Sequence, residues 1–219
     1  VLQRLAEHGL IKGDRIGVDA STMEANAALR SIVRRGTGEG YREMLKRLAV
    51  ESGIETPTAE DLVRLDRNRQ GKRLSNQDWT SPTDPEAKIA KMKDGRTRLA
   101  YKPEHAVDLD TGAIVAAQIH PADRGDTTTL PDTLQAAEAN LATVDAAPTR
   151  EEPTELVERS FALVLDRGGM RRSWLRGREN LHQRSLVHVA GYNLGLIMRL
   201  LVGSGTPREF MARVSAHLL

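Results

Sequence analysis

The spacing of apolar and polar positions divides the chain into helical and extended stretches. Residues 1–8 are helical in pattern, and Gly9 and Gly13-Asp14 interrupt them. Ile16 and Val18 alternate with Arg15 and Gly17, which predicts a short strand ending at Asp19. Helices are predicted over Ala25–Arg35, over Gly40–Ser52 with Tyr41, Leu45, Leu48 and Ala49 as the apolar stripe, and from Thr58 towards Asn68 with Leu62 and Leu65 inward. Arg67 to Pro85 is polar and reads as a loop. Arg98–Asp108 and Ala113–Ile119 are predicted strands, and the Asp-x-Gly turn between them signals a hairpin. Asp126-Thr127-Thr128 reads as the cap of a helix over Leu130–Leu141, and Thr143–Pro153 has the composition of a linker.

The last third is the most distinctive. Leu156, Val157, Phe161, Leu163, Val164 and Leu165 form the apolar face of a helix, which Gly168-Gly169 ends because glycine takes a left-handed C-terminal position without steric cost. Leu186–Gly203 is mostly apolar. It is short for a bilayer and is interrupted by His188, Asn193 and Arg199, so a buried helix is predicted and no membrane partner.

Composition narrows the chemistry. A chain of 219 residues suffices for one large domain, or one domain with an insertion. Aromatic residues make up only 3%, so the core must be built from Leu, Val, Ile and Ala. The absence of cysteine excludes a disulfide scaffold, a Cys-ligated zinc and a thiol nucleophile. The net charge of +2 says little about nucleic acid, but its distribution says more. Arg167, Arg171, Arg172, Arg176, Arg178 and Arg184 cluster around Trp174, and Lys88, Lys91, Lys93, Arg96 and Arg98 form a second basic patch. Such clusters are commonly solvated faces. The interleaved Gly and Trp favour phosphate contact instead, for which the planar guanidinium fork is suited. Asp19, ending a strand beside small residues, is placed to ligate a metal. The spacing Ser21-Thr22-Met23-Glu24 fits a helix capping box equally, and spacing alone favours the cap. His105 and His120 read as hydrogen-bonded structural residues, and the chain's start at Val1 reads as a helix already under way, cut from something longer.

The runs GVDASTMEANAALRSIVRR, SNQDWTSPTDPEAKIAKMKDGRT, EHAVDLDTG, LVERSFALVLDRGGMRRSWLRGREN and VHVAGYNLGLIMRLLVGSGTPRE resemble a bacterial insertion-sequence transposase of the DDE type, with an RNase H-like catalytic core. The resemblance covers nearly the whole chain. It implies an α/β fold, a mixed sheet with flanking helices, and a helical insertion at about 25–85. Residues 1–157 would form the first part of the core and 158–219 its C-terminal helices with the arginine-rich segment. Such enzymes bind the terminal inverted repeats of their element, cut the DNA ends and join them to target DNA, with three carboxylates holding two Mg²⁺ ions. Hard divalent cations prefer oxygen ligands, and two of them clamp the attacking and leaving oxygens.

By motif, Asp19 matches the first Asp and Glu158 the Glu, as catalytic and metal-binding residues. Arg159, Arg171, Arg172, Arg176 and Arg178 fall where the family tracks DNA, with Arg159 close to the metals. The resemblance also implies a bacterial cytoplasmic, nucleoid-associated protein and a homodimer. One departure stands out. The family's second Asp, in a motif resembling Asp-Lys-Gly-Tyr after a fourth strand, has no counterpart here. An internal deletion is expected to have joined the chain ahead of Glu158, leaving Asp145, without the motif around it, as a poor substitute. The copy is therefore expected to be catalytically impaired, with an exposed sheet edge where the fourth strand should pair; the alternatives are a DNA-binding remnant without catalysis and a helical scaffold without nucleic-acid function.

Overall fold

A computed structural model of the chain describes residues 1–70, 74–92, 94–146, 150–151 and 155–217. In chain order the elements are α1 (Leu2–Glu7), β1 (Arg15–Ala20), β2 (Met23–Glu24), β3 (Val33–Arg34), α2 (Tyr41–Glu51), α3 (Ala59–Asn68), β4 (Trp79–Thr80), β5 (Lys88–Lys91), β6 (Thr97–Asp108), β7 (Ile114–Pro121), α4 (Asp126–Ala142), β8 (Arg150–Glu151), α5 (Glu155–Phe161), α6 (Arg178–Val202) and α7 (Pro207–His217).

The sheet is organised by β6, whose 12 residues are long enough to serve several partners. Its second half lies between β1 and β7, antiparallel to both, and its first half pairs with β2 and β5. On the far side of β1, β8 runs parallel to it, with Arg15 opposite Arg150 and Ile16 opposite Glu151. The path β7-β6-β1-β8 thus has three antiparallel strands followed by a parallel one. This is a mixed α/β architecture, consistent with an RNase H-like core. Between β1 and β6 the chain makes its excursion through α2 and α3.

Alternation along the strands separates two apolar layers. Val107, Ile114, Ala117 and Ile119 face the larger one, with Val157, Phe161, Val164, Leu165, Leu181 and Val189. Ile16, Ala106, Val115 and Ala116 face the other, with Leu5, Ala137, Leu141 and Ile197. Tyr41, Met44 and Leu45 of α2, Leu62 of α3 and Trp79 extend the first layer into the excursion. The edge of the Trp79 ring meets Tyr41 at 5.4 Å between centroids.

Several stretches depart from the sequence reading. Ser21–Glu24 caps no helix. It continues along the free edge of β6, Ser21 N donating to Pro103 O at 2.9 Å before Met23 pairs with Tyr101. Ala25–Arg35 is one 3₁₀ turn at Leu29–Ser31 followed by β3, which pairs with β4. Ile32 and Val33 are β-branched and favour extension once Trp79 offers an apolar partner. The polar stretch from Arg67 to Pro85 therefore contains β4 and buried Ser81 and Asp84, although Gly71, Lys72 and Arg73 lie outside the described residues. The basic run from Lys88 contains β5; Lys93 is not among the described residues. The helix α4 starts at Asp126 with Gly125 at its N-cap, so Asp126 is no cap, and instead faces Lys102 Nζ at 2.6 Å. The expected linker Thr143–Pro153 carries β8, so the fourth-strand position beside β1 is occupied. Residues 147–149 and 152–154 fall outside the description.

The helix predicted from Leu156 is present as α5, continued by a π-helical turn over Ala162–Arg167. Gly168 N donates to Leu163 O, five residues back, and a Cβ at Gly168 would sit 2.2 Å from Val164 O. Gly169 takes φ +68°, the left-handed conformation expected at the end. Val157 belongs to α5 and is fully buried. In α6 only one stripe is buried: Leu181, Ser185, Val189, Asn193 and Ile197. Leu186, Val187, Leu194, Leu200 and Leu201 are exposed, contrary to a buried helix. By length and composition alone the helical stretch from Arg178 would suffice to cross a membrane. Asn193 nevertheless ties α6 to the sheet, accepting from Ile114 N at 3.0 Å and donating to Ile114 O at 2.8 Å.

Candidate functional site

Asp19 lies one residue before the end of β1, directly opposite His105 on β6. Residues directly opposed across an antiparallel pair project on the same face. His105 is fully buried against α5, its ring stacked on Phe161 at 4.3 Å and its Nδ1 2.8 Å from Ser160 Oγ. Asp19 therefore projects on the α5 side of the sheet, and its Oδ1 accepts from Ala20 N at 2.7 Å. Ser160 Oγ donates to Val157 O at 2.7 Å, so the Nδ1–H of His105 donates to Ser160. Burial lowers the His105 pKa to about 3, which keeps the ring neutral. Nε2 is left without a partner among the described residues.

Val157, Ser160, Phe161 and Val164 turn inward from α5 and its continuation, which leaves Glu158 and Arg159 exposed. Arg159 does not point towards Asp19. It lines a cavity of about 560 Å³ with the β6–β7 turn residues Asp110, Thr111 and Gly112, and with Arg167 and Arg199. Among the described residues no group of three or more His, Asp or Glu side chains is gathered closely enough to hold a metal ion. Asp145, expected to be a poor substitute for the missing Asp, is exposed with φ 55°. Among the described residues, Asp19 and Glu158 are thus joined by no third carboxylate that would make up a two-ion site.

The arginine segment lies beside the same end of β1. Glu24 N donates to Arg171 O at 2.8 Å, and Ser173 N to Glu24 O at 3.0 Å, so residues 171–173 run along β2. Arg171 reaches Ser21 Oγ at 3.1 Å, two residues past Asp19, and makes a two-pronged pair with Asp166. That pair holds the Asp166 carboxyl below its usual range. The arginine cluster is partly neutralised. Asp166 pairs with Arg171, Glu24 lies 3.7 Å from Arg172, and Glu86 lies 3.9 Å from Arg178. Arg176 and Arg184 have no ion pair among the described residues. Arg184 instead sits over the Trp174 ring at 5.1 Å. Arg30, Arg96, Arg98, Arg172 and Arg176 together line a groove of about 650 Å³, which joins the two basic patches of the sequence.

Two further carboxylates organise this region. Asp84 is buried and accepts from Tyr101 Oη at 2.6 Å and from Gly177 N at 3.3 Å. Glu86 accepts from Arg178 N at 2.8 Å. Together they satisfy backbone donors at the start of α6, where negative charge is favoured by the helix dipole. On the opposite face of the sheet, Glu104 is enclosed by Lys102 Nζ at 2.9 Å, His120 Nε2 at 3.4 Å, Thr133 Oγ1 at 2.6 Å and Thr129 Oγ1. Burial opposes its ionisation, but these bonds outweigh it and bring the pKa down to about 2. His105 and His120 are both hydrogen-bonded structural residues, as their strand positions suggested.

The strand order, with its parallel fourth strand and α5 packed across β1 and β6, is consistent with the catalytic domain of DDE-type transposases, proteins of DNA transposition and recombination. Residues 69–149 match the family model described as Transposase DDE domain, a span running from the end of the excursion through β6, β7 and α4. No curated protein and no solved structure matches the chain. DNA is the partner of this class, and divalent metal ions serve its chemistry.

Proposed function

We propose that this chain binds the terminal inverted repeats of an insertion sequence and its target DNA in the bacterial cytoplasm, at the nucleoid, and that it is impaired in metal-dependent cleavage and strand transfer. The observation carrying this reading is the placement of Asp19 at the end of β1, on the face covered by the helix bearing Glu158, with no aspartate between Asp145 and Asp166 to supply the third ligand. Asp19 and Glu158 are the catalytic and metal-binding carboxylates of this reading. Arg159, Arg171, Arg172, Arg176 and Arg178 belong to the DNA surface, with Arg171 held to Ser21, two residues past Asp19. Residues 1–157, including the excursion over about 25–85, form the first part of an incomplete core, and residues 158–219 supply its C-terminal helices with the arginine-rich segment. A second copy covers the exposed stripe of α6, where Val187, Leu194 and Leu201 recur at heptad spacing.

Two carboxylates support at most weak binding of one Mg²⁺, which keeps several of its waters. Loss of a ligand removes several kcal/mol of transition-state stabilisation, each ~1.4 kcal/mol being tenfold in rate. Incubation with a terminal-repeat duplex and Mg²⁺ or Mn²⁺ is therefore expected to give binding without strand cleavage. Cleavage abolished by Asp19→Ala and by Glu158→Ala would refute the impairment. A second reading, a non-catalytic DNA-binding remnant, is favoured by the same missing ligand together with the retained arginine groove. The two separate on reinsertion of a segment carrying the missing Asp, which restores cleavage only if Asp19 and Glu158 are still correctly placed.

A further inference from the structure

We infer that Trp174 is a stacking platform for an unpaired nucleobase at the edge of the arginine-lined groove, an assignment that rests on the DNA-binding reading above. The two tryptophans have opposite environments. Trp79 is 4% exposed and packs in the core, whereas Trp174 is 69% exposed and belongs to neither apolar layer. An indole left in water on a backbone that is itself fixed is poised for a ligand. Asn26 Nδ2 donates to Trp174 O at 2.6 Å, Ser173 N donates to Glu24 O at 3.0 Å, and Leu175 N donates to Ser173 Oγ at 3.0 Å. Ser173, immediately before it, is buried. The backbone that carries the ring is thereby already ordered, which lowers the ordering cost on binding.

The surroundings specify the ligand. Arg184 lies over the ring at 5.1 Å, and Asn26, which holds the Trp174 carbonyl, also lines the groove with Arg30, Arg96, Arg98, Arg172 and Arg176. Glu24 is the one carboxylate of that lining among the described residues, 2.7 Å from Arg98 and 3.7 Å from Arg172, so the wall keeps an excess of guanidinium. Phosphates suit the groove and a flat π-face suits the indole, and a nucleic-acid strand carries both. Bases inside a duplex are stacked on each other and cannot reach the ring. The occupant is therefore an unpaired base, at a strand end or overhang, and its identity is loosely specified because every base has a π-face.

The test compares the full chain on a blunt duplex and on the same duplex carrying a short oligothymidine overhang, by anisotropy of labelled DNA and by intrinsic tryptophan fluorescence. The overhang is expected to tighten binding by about tenfold and to quench Trp174 emission. Trp174→Ala should bind both probes at the blunt-duplex level, while Trp174→Phe keeps part of the overhang advantage. Equal affinity of the unmodified chain for both probes overturns the platform and leaves the DNA reading standing, as does an overhang advantage that survives Trp174→Ala. Absence of binding to either probe removes both. A concentration-dependent blue shift of Trp174 emission without DNA, lost in Trp174→Ala, would assign the ring to a contact between copies and also overturn the platform.

Discussion

His105 and Ser160 are joined by a 2.8 Å hydrogen bond that ties β6 to α5, so the strand facing Asp19 and the helix carrying Glu158 are fastened at one buried point. Replacing His105 with Ala removes this bond and the stacking on Phe161, and leaves a cavity between sheet and helix. A loss of about 2–4 kcal/mol in unfolding free energy is expected by urea titration, in line with large-to-small core changes. A loss below ~0.5 kcal/mol would mean that α5 is held by its apolar packing alone.

The same histidine makes stability depend on pH. Its pKa is about 3 in the fold, against the ordinary 6.5 in the unfolded chain. Between these values only the unfolded state is protonated, so stability is full above pH 6.5 and falls as the pH drops towards 3. His105→Phe, which keeps a stacked ring without a proton site, should flatten that slope near pH 6 in midpoint measurements across pH. An unchanged slope in the variant would trace it to other groups.

Glu104 contributes in a more acidic window. Its pKa is depressed to about 2, so its contribution is present above the unfolded value of 4.5 and is lost as the pH falls towards 2. Glu104→Gln leaves Lys102 with the exposed Asp126 as its remaining carboxylate and is expected to cost about 3 kcal/mol, the scale for breaking a buried ion pair. Lowered protection of α4 amides in hydrogen exchange would locate the damage there.

The arginines should separate by their partners. Arg172 and Arg176 line the groove, and replacing either by Ala should lower the salt slope of duplex binding by about 1 for each phosphate that the side chain neutralises. Arg171 is engaged by Asp166 and Ser21, so Arg171→Ala should loosen the segment beside β2 more than it changes the salt slope. Identical slopes for all three variants would contradict this division.

What can be read in the sequence follows the range of the interaction. The hairpin β6–β7, the helices α2, α3 and α5, and the glycine stop at 168–169 are set by neighbours within a few residues, and their patterns are legible. The strands β2, β3, β5 and β8 have two to four residues each and take their form from partners elsewhere, such as Tyr101 for Met23. Their sequences carry no periodicity long enough to detect. The same applies to charge. Asp166 is visible beside the arginines, but Glu24 and Glu86 reach them only through the fold. Asp19 is legible as a strand-end carboxylate, but the clasp by His105 and Ser160 is not, because it spans 55 residues.

The long β6 also sets a timetable. Ile16 of β1 pairs with Asp108, so roughly ninety residues separate the first core strand from its nearest long neighbour. On a ribosome adding ~5–20 residues per second, β1 emerges roughly 5–20 s before it can be paired. During that interval the excursion through α2 and α3 can already bury Tyr41, Leu45 and Leu62, while Ile16 and Val18 wait in the open. The first core strand of the growing chain thus stays without its β6 partner until residue 97 and beyond are made, and any slowing of translation before that point lengthens the exposure.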